Sequence, residues 1–495
     1  MGHPILYEIN TRCWLNKLSG VAGGTITLAN VPEQEFARWE ELGFTHIWLM
    51  GVWTTASRSR AKALQDSQLR EVYNRVLPGW KEADVPGSPY AIGEYQVPAA
   101  LGGEAGLAIF RERLRARGLR LLLDFVPNHV GLDHPWVSQR PELFVQSPAE
   151  REGTFHQTTT AGERWLAHGK DPYFAPWTDT VQVDYRRAGT RLAMIELLQG
   201  IAQRCDGVRC DMAMLLLNDV FAKTWSSFPT PASTPNSEFW AEAISAVKQG
   251  QRDFIFLAEA YWGLQPKLQA LGFDYTYDKF IYDRLLDRHY GDLQRHLLEA
   301  TPEYVARSAH FLENHDERRI ASLLSLEEHR AAAMMILGLP GMRFLYEGQL
   351  TGARIHVPVQ LGRCIVEPVD KNIEVLYERL LGAIKESAIG TGEGKILCPE
   401  RAWEGNPTAQ NIIVVQWQKS AMEFELVVVN LAPHRGQCRV RLAIEGLAAR
   451  NWEMRDRLGH EVHQRSGEEL QKQGLYLDLA ENGVQLFLCR PLGNN

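Results

Sequence analysis

Short apolar runs alternate with helix-like segments along the first three quarters of the chain. Eight of these runs have the length and apolar content of buried strands, at residues 5–9, 46–50, 119–126, 207–211, 254–259, 273–277, 309–313 and 342–346. Residues 104–117 and 191–204 carry apolar side chains at helical spacing. The alternation predicts a parallel (β/α)8 barrel, a TIM barrel, with an open doubly wound sheet as the alternative. No GxGxxG or GxxxxGK turn follows the early runs, which argues against a nucleotide-binding sheet.

Two stretches depart from this alternation. Residues 128–185 have no helical period and are rich in Pro, Thr and aromatic residues, so we expect an inserted subdomain over the barrel mouth. Beyond Ile389 the runs become alternating and β-rich, which is typical of an antiparallel β-sandwich. The predicted domains are therefore a barrel of residues 1–127 and 186–388, an inserted subdomain of residues 128–185, and a C-terminal β-sandwich of residues 389–495.

Composition and charge narrow the class of partner. The chain has 495 residues and a net charge of −7, which argues against nucleic-acid binding and against a polybasic membrane surface. We find no export signal and no apolar run that would span a bilayer. Seven scattered cysteines without a CxxC pair indicate reduced thiols and predict a cytoplasmic protein. The sequence makes no prediction of oligomeric state.

Charged and imidazole side chains stand at the ends of four of the predicted strands. Barrel enzymes build their sites from the C-terminal ends of the strands, and here these ends carry Asp124 to His129, Arg209 and Asp211, Glu259, and His315 with Asp316. Any one of them is explained by a structural ion pair. Four together are not, because a buried unpaired charge costs several kcal/mol. A metal site and glycoside chemistry are the two functional alternatives.

Glycoside chemistry assigns distinct roles to two carboxylates. A retaining glycosidase holds a nucleophile and an acid/base about 5–5.5 Å apart. The nucleophile must stay ionised, and Arg209 two residues before Asp211 suits that role. The acid must keep its proton, and Glu259 follows an apolar strand and precedes Tyr261 and Trp262.

The ordered set of strand ends resembles the four short sequence regions of the α-amylase family, glycoside hydrolase family 13. The matching motifs are Asp124-x-Val126-x-Asn128-His129, Gly207-x-Arg209-x-Asp211, Glu259 after an apolar strand, and Asn314-His315-Asp316. The segment from Gly87 to Tyr90 is similar to the family's sugar-stacking tyrosine segment. The resemblance extends over about the whole chain and implies the fold already predicted.

The resemblance also implies a role for each site residue. Asp211 is the expected nucleophile, Glu259 the acid/base and Asp316 the stabiliser of the transition state. The expected substrate-binding residues are Tyr90, His129, Arg209, His315 and Trp262. The alternative is core packing for Tyr90 and Trp262, strand-end hydrogen bonding for the two histidines, and a structural ion pair for Arg209. The implied partner is an α-glucan or malto-oligosaccharide, and no cofactor is required. Asn128 resembles a calcium-ligand position, but the remaining ligands cannot be assembled, so neither calcium nor another metal is predicted.

Two departures from the family bear on the reaction. Met214 and Leu215 stand where many α-amylases have Lys-His, which puts ordinary endo-acting starch hydrolysis in doubt. Stretches at 133–136 and 176–180 also look like the maltosyltransferase branch. A retaining hydrolase is the leading prediction, and a transglycosylase or isomerase is the alternative. A non-catalytic carbohydrate-binding relative is disfavoured because all three carboxylates are present.

Overall fold

The first three quarters of the chain form a closed barrel of eight parallel strands. The structure is a computed structural model that describes residues 2–231, 234–420 and 422–492. The strands are β1 Ile5–Asn10, β2 His46–Met50, β3 Arg120–Phe125, β4 Gly207–Cys210, β5 Ile255–Ala258, β6 Tyr275–Tyr277, β7 Ser308–Phe311 and β8 Met342–Tyr346. Each strand pairs in parallel with the next, and β8 closes on β1, with Ile5 opposite Arg343. The predicted (β/α)8 barrel is confirmed.

Alternate side chains of each strand point into the barrel, as the two-residue period of a strand requires. They form a continuous interior cluster that includes Leu6, Trp48, Leu122, Leu257 and Phe344. The intervening side chains pack outward against the helices in a second, larger cluster. Both faces of the barrel wall are therefore buried, which explains why the strands appear in the sequence as unbroken apolar runs.

Helices lie in the connections between the barrel strands and after the last strand. They are Thr11–Ala22, Glu33–Glu41, Ser57–Gln65, Ser67–Val76, Gly103–Arg115, Pro135–Gln139, Ala188–Ala202, Asn218–Thr224, Phe239–Lys248, Gln265–Ala270, Lys279–Leu286, Tyr290–Glu299, Pro302–Ala306, Leu326–Gly338 and Lys371–Lys385. The two helices predicted from apolar spacing are present, each beginning and ending one to three residues earlier than expected.

The connection after β3 contains small antiparallel sheets. Strands His129–Gly131 and Thr180–Gln182 pair with each other at its two ends. Between them, Gln146–Ser147, Gly162–Ala167 and Thr154–Thr159 form a three-stranded sheet in that order. This short β-structure explains the absence of a helical period. The predicted domain boundaries at residues 127, 185 and 388 stay predictions.

The C-terminal region consists of two antiparallel sheets that share one apolar core. The larger has the order Glu393–Leu397, Ile412–Ser420, Glu423–Asn430, Val484–Pro491, Asn451–Asp456 and Val462–Ser466, and the smaller has Pro399–Arg401, Gly436–Val440 and Leu475–Leu479. A short helix, Gly467–Gln473, follows Ser466. The sequence missed four of these strands, at 393–397, 399–401, 451–456 and 462–466, which are short or carry many polar residues.

Within the described residues, every helix is too short or too polar to cross a lipid bilayer.

Candidate active site

One buried arginine holds two carboxylates at the C-terminal end of the barrel. Asp211 directly follows β4 and Glu259 directly follows β5, so the parallel strands place both at the same end. Arg209 of β4 is 1% exposed. Its Nη1 donates to Asp211 Oδ1 at 2.8 Å, and its Nη2 lies 2.8 Å from Glu259 Oε2. The predicted partnership of Arg209 with Asp211 is present, and the same guanidinium also pairs with Glu259.

Glu259 is fixed by neutral donors as well as by the arginine. The Tyr261 hydroxyl donates to Glu259 Oε1 at 2.7 Å, and the backbone N–H of Met212 donates to Oε2 at 2.7 Å. Burial raises the pKa of Glu259, and the nearby charge of Arg209 opposes that rise. A carboxyl group in this setting is orientated and retains a proton more readily than one in water.

Only one carboxylate oxygen of Asp211 accepts a hydrogen bond within the described residues. Its Oδ1 accepts from Arg209, whereas its buried Oδ2 has no hydrogen-bond partner within the described part of the chain. Burial raises the pKa of Asp211, against the lowering effect of Arg209 and with a further rise from the charge of Asp316. The unengaged oxygen is the more nucleophilic position of this side chain, because no donor shares its lone pairs.

A histidine links the third predicted carboxylate to the strand at the start of the chain. His315 Nδ1 lies 2.5 Å from Glu8 Oε1, and its Nε2 lies 3.0 Å from Asp316 Oδ2 and 2.7 Å from the Tyr90 hydroxyl. Burial lowers the pKa of His315, but the negative charges of Asp316 and Glu8 have the larger effect and hold the pKa well above its usual range. His315 is therefore a buried cation between two carboxylates.

Asp316 is the most accessible of the three carboxylates. Its side chain is 47% exposed, whereas those of Asp211 and Glu259 are buried. Burial of the surrounding site opposes its ionisation, but the adjacent His315 lowers the pKa of Asp316 to about 2. Asp316 is thus a permanent anion at the mouth of the site.

The remaining predicted substrate-binding residues lie around this network. The Tyr90 ring stacks on His315 with ring centroids 5.3 Å apart, and the Arg209 guanidinium lies 5.2 Å from the centre of the Tyr90 ring. His129 is buried beside Trp177, and burial lowers its pKa to about 4. Tyr90 therefore joins the Arg209 and His315 groups, while the neutral His129 imidazole adds a hydrogen-bonding group beside them.

Trp262 lies on the rim rather than in the core. It is 40% exposed and meets Tyr173 edge to face, with ring centroids 4.9 Å apart. Tyr173 is 62% exposed and Phe174 is 73% exposed. These three rings, from two separate loops, form an exposed aromatic group beyond Glu259.

Asp124, at the first motif, supports the floor of the site. Its Oδ2 accepts from the Gly51 backbone N–H at 2.8 Å, and its Oδ1 accepts from Trp48 Nε1 at 3.2 Å. Burial raises its pKa to about 7. Met214 and Leu215, which differ from many α-amylases, follow β4 and are buried in the larger apolar cluster.

Sequence reasoning missed three groups of this network. Tyr261 was read only as apolar surround, and the Met212 N–H was not considered because backbone donors leave no mark in a sequence. Met212 has φ = 43°, a left-handed conformation that is unusual for a residue with a side chain. Glu8 did carry a signal, since a carboxylate inside an apolar strand requires a partner.

The residues near Asn128 do not fit a calcium ion. Gln182 Nε2 donates to Asn128 O at 2.9 Å, to Asn128 Oδ1 at 3.0 Å and to Val183 O at 3.1 Å. The Gln182 amide nitrogen thus occupies the position between these oxygens that a cation would take. Calcium needs six to eight oxygen ligands at about 2.3–2.6 Å. Nor do the described residues include a cluster of three or more His, Cys, Asp or Glu side chains suited to a metal ion.

The family follows from a match over most of the barrel. Residues 38–360 match the model of the α-amylase catalytic domain. The chain belongs to the α-amylase family. Members of this family in solved structures share the whole fold with it: the maltogenic α-amylase AmyB of Thermotoga neapolitana gives a TM-score of 0.68 at 19% identity, with 99% of each chain covered. The α-amylase GTA of Geobacillus thermoleovorans, complexed with acarbose, gives 0.67 at 18% identity, with 99% of each chain covered.

Related α-amylase family sequences fall in two groups. The α-amylase MalA of Haloarcula japonica is 26% identical over 268 residues, or 52% of this chain and 36% of that protein. An alpha-1,4-glucan:maltose-1-phosphate maltosyltransferase of Myxococcus xanthus is 26% identical over 237 residues, or 45% of this chain and 30% of that protein. The matched part spans about a third of the length of these relatives. The relatives of this chain therefore include both an α-amylase and a maltosyltransferase.

Proposed function

We propose that this chain is a retaining enzyme that cleaves α-glucosidic bonds of malto-oligosaccharides or α-glucans, with water as the principal acceptor. The observation that carries the proposal is the shared guanidinium. Because Arg209 contacts both Asp211 and Glu259, the two carboxyl groups lie close together. Two carboxyl groups on one guanidinium fit the separation of about 5–5.5 Å found in retaining enzymes, in which one of them attacks the sugar directly.

The first half-reaction assigns a role to each oxygen. Asp211 Oδ2 attacks the anomeric carbon while Glu259 gives its proton to the glycosidic oxygen, so the C–O bond breaks and the leaving sugar departs as an alcohol. The product is a glycosyl ester of Asp211. In the second half-reaction the ionised Glu259 takes a proton from water, and the oxygen of that water displaces Asp211.

The surrounding groups act on the sugar and on the carboxylates. Asp316 accepts hydrogen bonds from ring hydroxyls as positive charge develops at the anomeric carbon. His315, His129 and Tyr90 hold the same sugar by hydrogen bonding and stacking. Arg209 keeps Asp211 in place through both half-reactions.

A fluorinated α-glucosyl fluoride tests the mechanism. Fluoride departs without a proton, so wild-type enzyme and Glu259→Ala should both become labelled on the peptide that contains Asp211, whereas Asp211→Asn should not. Azide should release the sugar from labelled Glu259→Ala as an α-glycosyl azide, because azide replaces water without needing a base. Asp211→Asn should not give this product. Label on a peptide that lacks Asp211, or a β-glycosyl azide from Glu259→Ala, would contradict the proposal.

Transfer to a sugar acceptor is the second candidate, and the exposed aromatic group favours it. Trp262 follows the acid/base Glu259 in the chain, its exposed ring meets that of Tyr173, and exposed aromatic faces suit sugar rings. We expect Trp262→Ala to lower the ratio of transfer to hydrolysis several-fold with excess maltose, and Trp403→Ala, an exposed Trp in the C-terminal region, to leave it unchanged. If added maltose or phosphate always outcompetes water in the wild type, the chain is a transferase rather than a hydrolase.

A further inference from the structure

A second cavity lies at the opposite end of the barrel from the proposed active site. It has a volume of about 600 Å³ and is bounded by the N-terminal ends of several barrel strands, by residues 381–391 and by Lys419. Cavities of ~300–1,000 Å³ are the size that proteins use for small organic ligands. The N-terminal end of a barrel ordinarily serves stability, so the charge of this cavity needs its own explanation.

The wall of the cavity is strongly basic although the whole chain is acidic. Six Lys or Arg side chains and two Asp side chains line it, against a net charge of −7 for the protein. Lys248 is paired with Asp274 at 2.6 Å. Across residues 2–231, 234–420 and 422–492, no carboxylate lies within 4.0 Å of the other five cations, Arg120, Arg252, Arg343, Lys385 and Lys419.

Arg343 is the most unusual of these cations because it is buried. It is 3% exposed, and its Nη2 donates to the backbone oxygen of His3. Its Nε and Nη1 have no hydrogen-bond partner among the described residues. A buried charge without a counterion is costly, so an anion in the cavity would supply what this guanidinium lacks.

Two neighbouring features concern the space and the charge around this guanidinium. Gly390 has φ = 81°, and a Cβ atom there would lie 2.1 Å from Arg343 Nη2, so only glycine leaves room for the arginine. Burial and the charge of Arg343 lower the pKa of His3 to about 4, and burial and Arg120 lower that of His46 to about 3. Both imidazoles are therefore neutral at neutral pH and add no positive charge to the wall.

We propose that this cavity binds a small organic phosphate. Several unpaired cations favour a doubly charged group over a monocarboxylate, and arginine forks match phosphate oxygens. The volume exceeds what an inorganic ion needs, and the wall also offers apolar surface from Ile5, Leu42 and Phe254 and hydroxyl groups from Thr45 and Thr391. These suit the body of a sugar-sized ester. The site is independent of the proposed reaction.

Calorimetric titration of the intact protein with glucose 6-phosphate tests the site. We expect wild-type protein to bind it, with an affinity that falls as the salt concentration rises. The double variant Arg252→Glu/Lys419→Glu should bind at least ten-fold more weakly, because both side chains are on the wall and solvent-accessible. Lys472→Glu, an exposed cation outside the cavity, should bind as the wild type does.

Further measurements distinguish binding in this cavity from binding at the active site and from binding of an inorganic ion. Asp211→Asn should retain binding, whereas glucose and inorganic phosphate should bind more weakly than the ester. Ligand should also raise the unfolding temperature of the wild type, as binding to the folded state requires. The proposal fails if no heat is seen at millimolar ester, if binding survives the double charge reversal, if Asp211→Asn abolishes it, or if inorganic phosphate binds equally well.

Discussion

Arg209 shows how a single residue can organise a site. Its planar guanidinium has donors that diverge toward two carboxylates, and it contacts Asp211 and Glu259 through different nitrogens. A lysine has one point charge on a flexible stem and could not hold both partners in this geometry. The two carboxylates would otherwise repel each other in a buried setting, and the single positive charge of Arg209 offsets part of that repulsion.

Glu8 and His315 form a second buried charged pair in the site. The two ring nitrogens of His315 face Glu8 and Asp316. Glu8 is fully buried, so its carboxylate acts on the substrate only through His315. It is therefore a positioning residue rather than a catalytic one.

We expect Glu8→Gln to shift the titration of His315. The amide keeps a hydrogen-bonding oxygen but removes one of the two carboxylates that raise the pKa of His315. His315 should then lose its proton at lower pH, which NMR titration of its imidazole measures directly. Glu8→Asp, which retains the charge, should restore part of the shift. An unchanged His315 titration in Glu8→Gln would contradict this role.

Glu8→Gln should also change how the free energy of unfolding depends on pH. A histidine whose folded-state pKa is raised stabilises the fold fully below its unfolded pKa of about 6.5, and this contribution is lost as pH rises through the folded pKa. The difference in unfolding free energy between wild type and Glu8→Gln should therefore be larger at about pH 6 than at about pH 10. Urea unfolding at the two pH values measures it.

At the scale of elements, the connection after β3 is fastened by an amide. Gln182 lies in the strand Thr180–Gln182, which pairs with His129–Gly131 directly after β3. Its side chain is fully buried and donates to three carbonyl-type oxygens of Asn128 and Val183. This arrangement ties the two ends of the connection together beside His129.

We expect this attachment to work without metal. EDTA or added calcium should leave the unfolding temperature of the wild type unchanged. Gln182→Ala should lower the free energy of unfolding by about 1–3 kcal/mol, because buried oxygens lose their donor. Gln182→Glu, which places a carboxylate against those oxygens, should be destabilised further and should regain stability in calcium. A fall in the wild-type unfolding temperature on adding EDTA would overturn the prediction.

At the scale of the whole molecule, the barrel and the C-terminal sheets share a core. Along Ile412–Ser420, Ile412 and Val414 face the smaller sheet, whereas Ile413 and Val415 pack with the barrel cluster. Trp417 Nε1 donates to the Gly338 backbone oxygen at 2.8 Å, at the end of the helix before β8. The two central strands of the larger sheet, Ile412–Ser420 and Glu423–Asn430, are therefore buried on both faces over most of their length.

This shared core predicts joint unfolding of the two regions. Scanning calorimetry should show one transition, because neither region keeps its apolar surface covered without the other. Trp417→Phe should lower the unfolding free energy by about 1–3 kcal/mol, since the Gly338 oxygen loses its donor, whereas Trp403→Phe at an exposed site should have little effect. Two separate transitions, or equal effects of the two substitutions, would contradict this description.

Much of the architecture follows from the sequence alone. The eight barrel strands are buried runs bounded by helices, and this local pattern is visible without any contact information. Because parallel strands deliver their C-terminal ends to one side, the order of the four motifs was enough to gather Asp211, Glu259 and Asp316 as candidates. The missed C-terminal strands carry too many polar residues for a periodic signal, and Trp262 could not be placed on the rim or in the core from the chain alone.

Tertiary structure decided what depends on contacts between distant residues. Glu8 and His315 are 307 positions apart, and they meet only because the barrel closes β8 onto β1. The run from Ile412 to Val415 indicates a strand, but its burial on two faces depends on which sheet and which helix it meets. The five cavity cations that have no carboxylate partner among the described residues likewise come from separate segments. Periodicity is a property of neighbours along the chain, whereas charge pairing and burial are properties of neighbours in space.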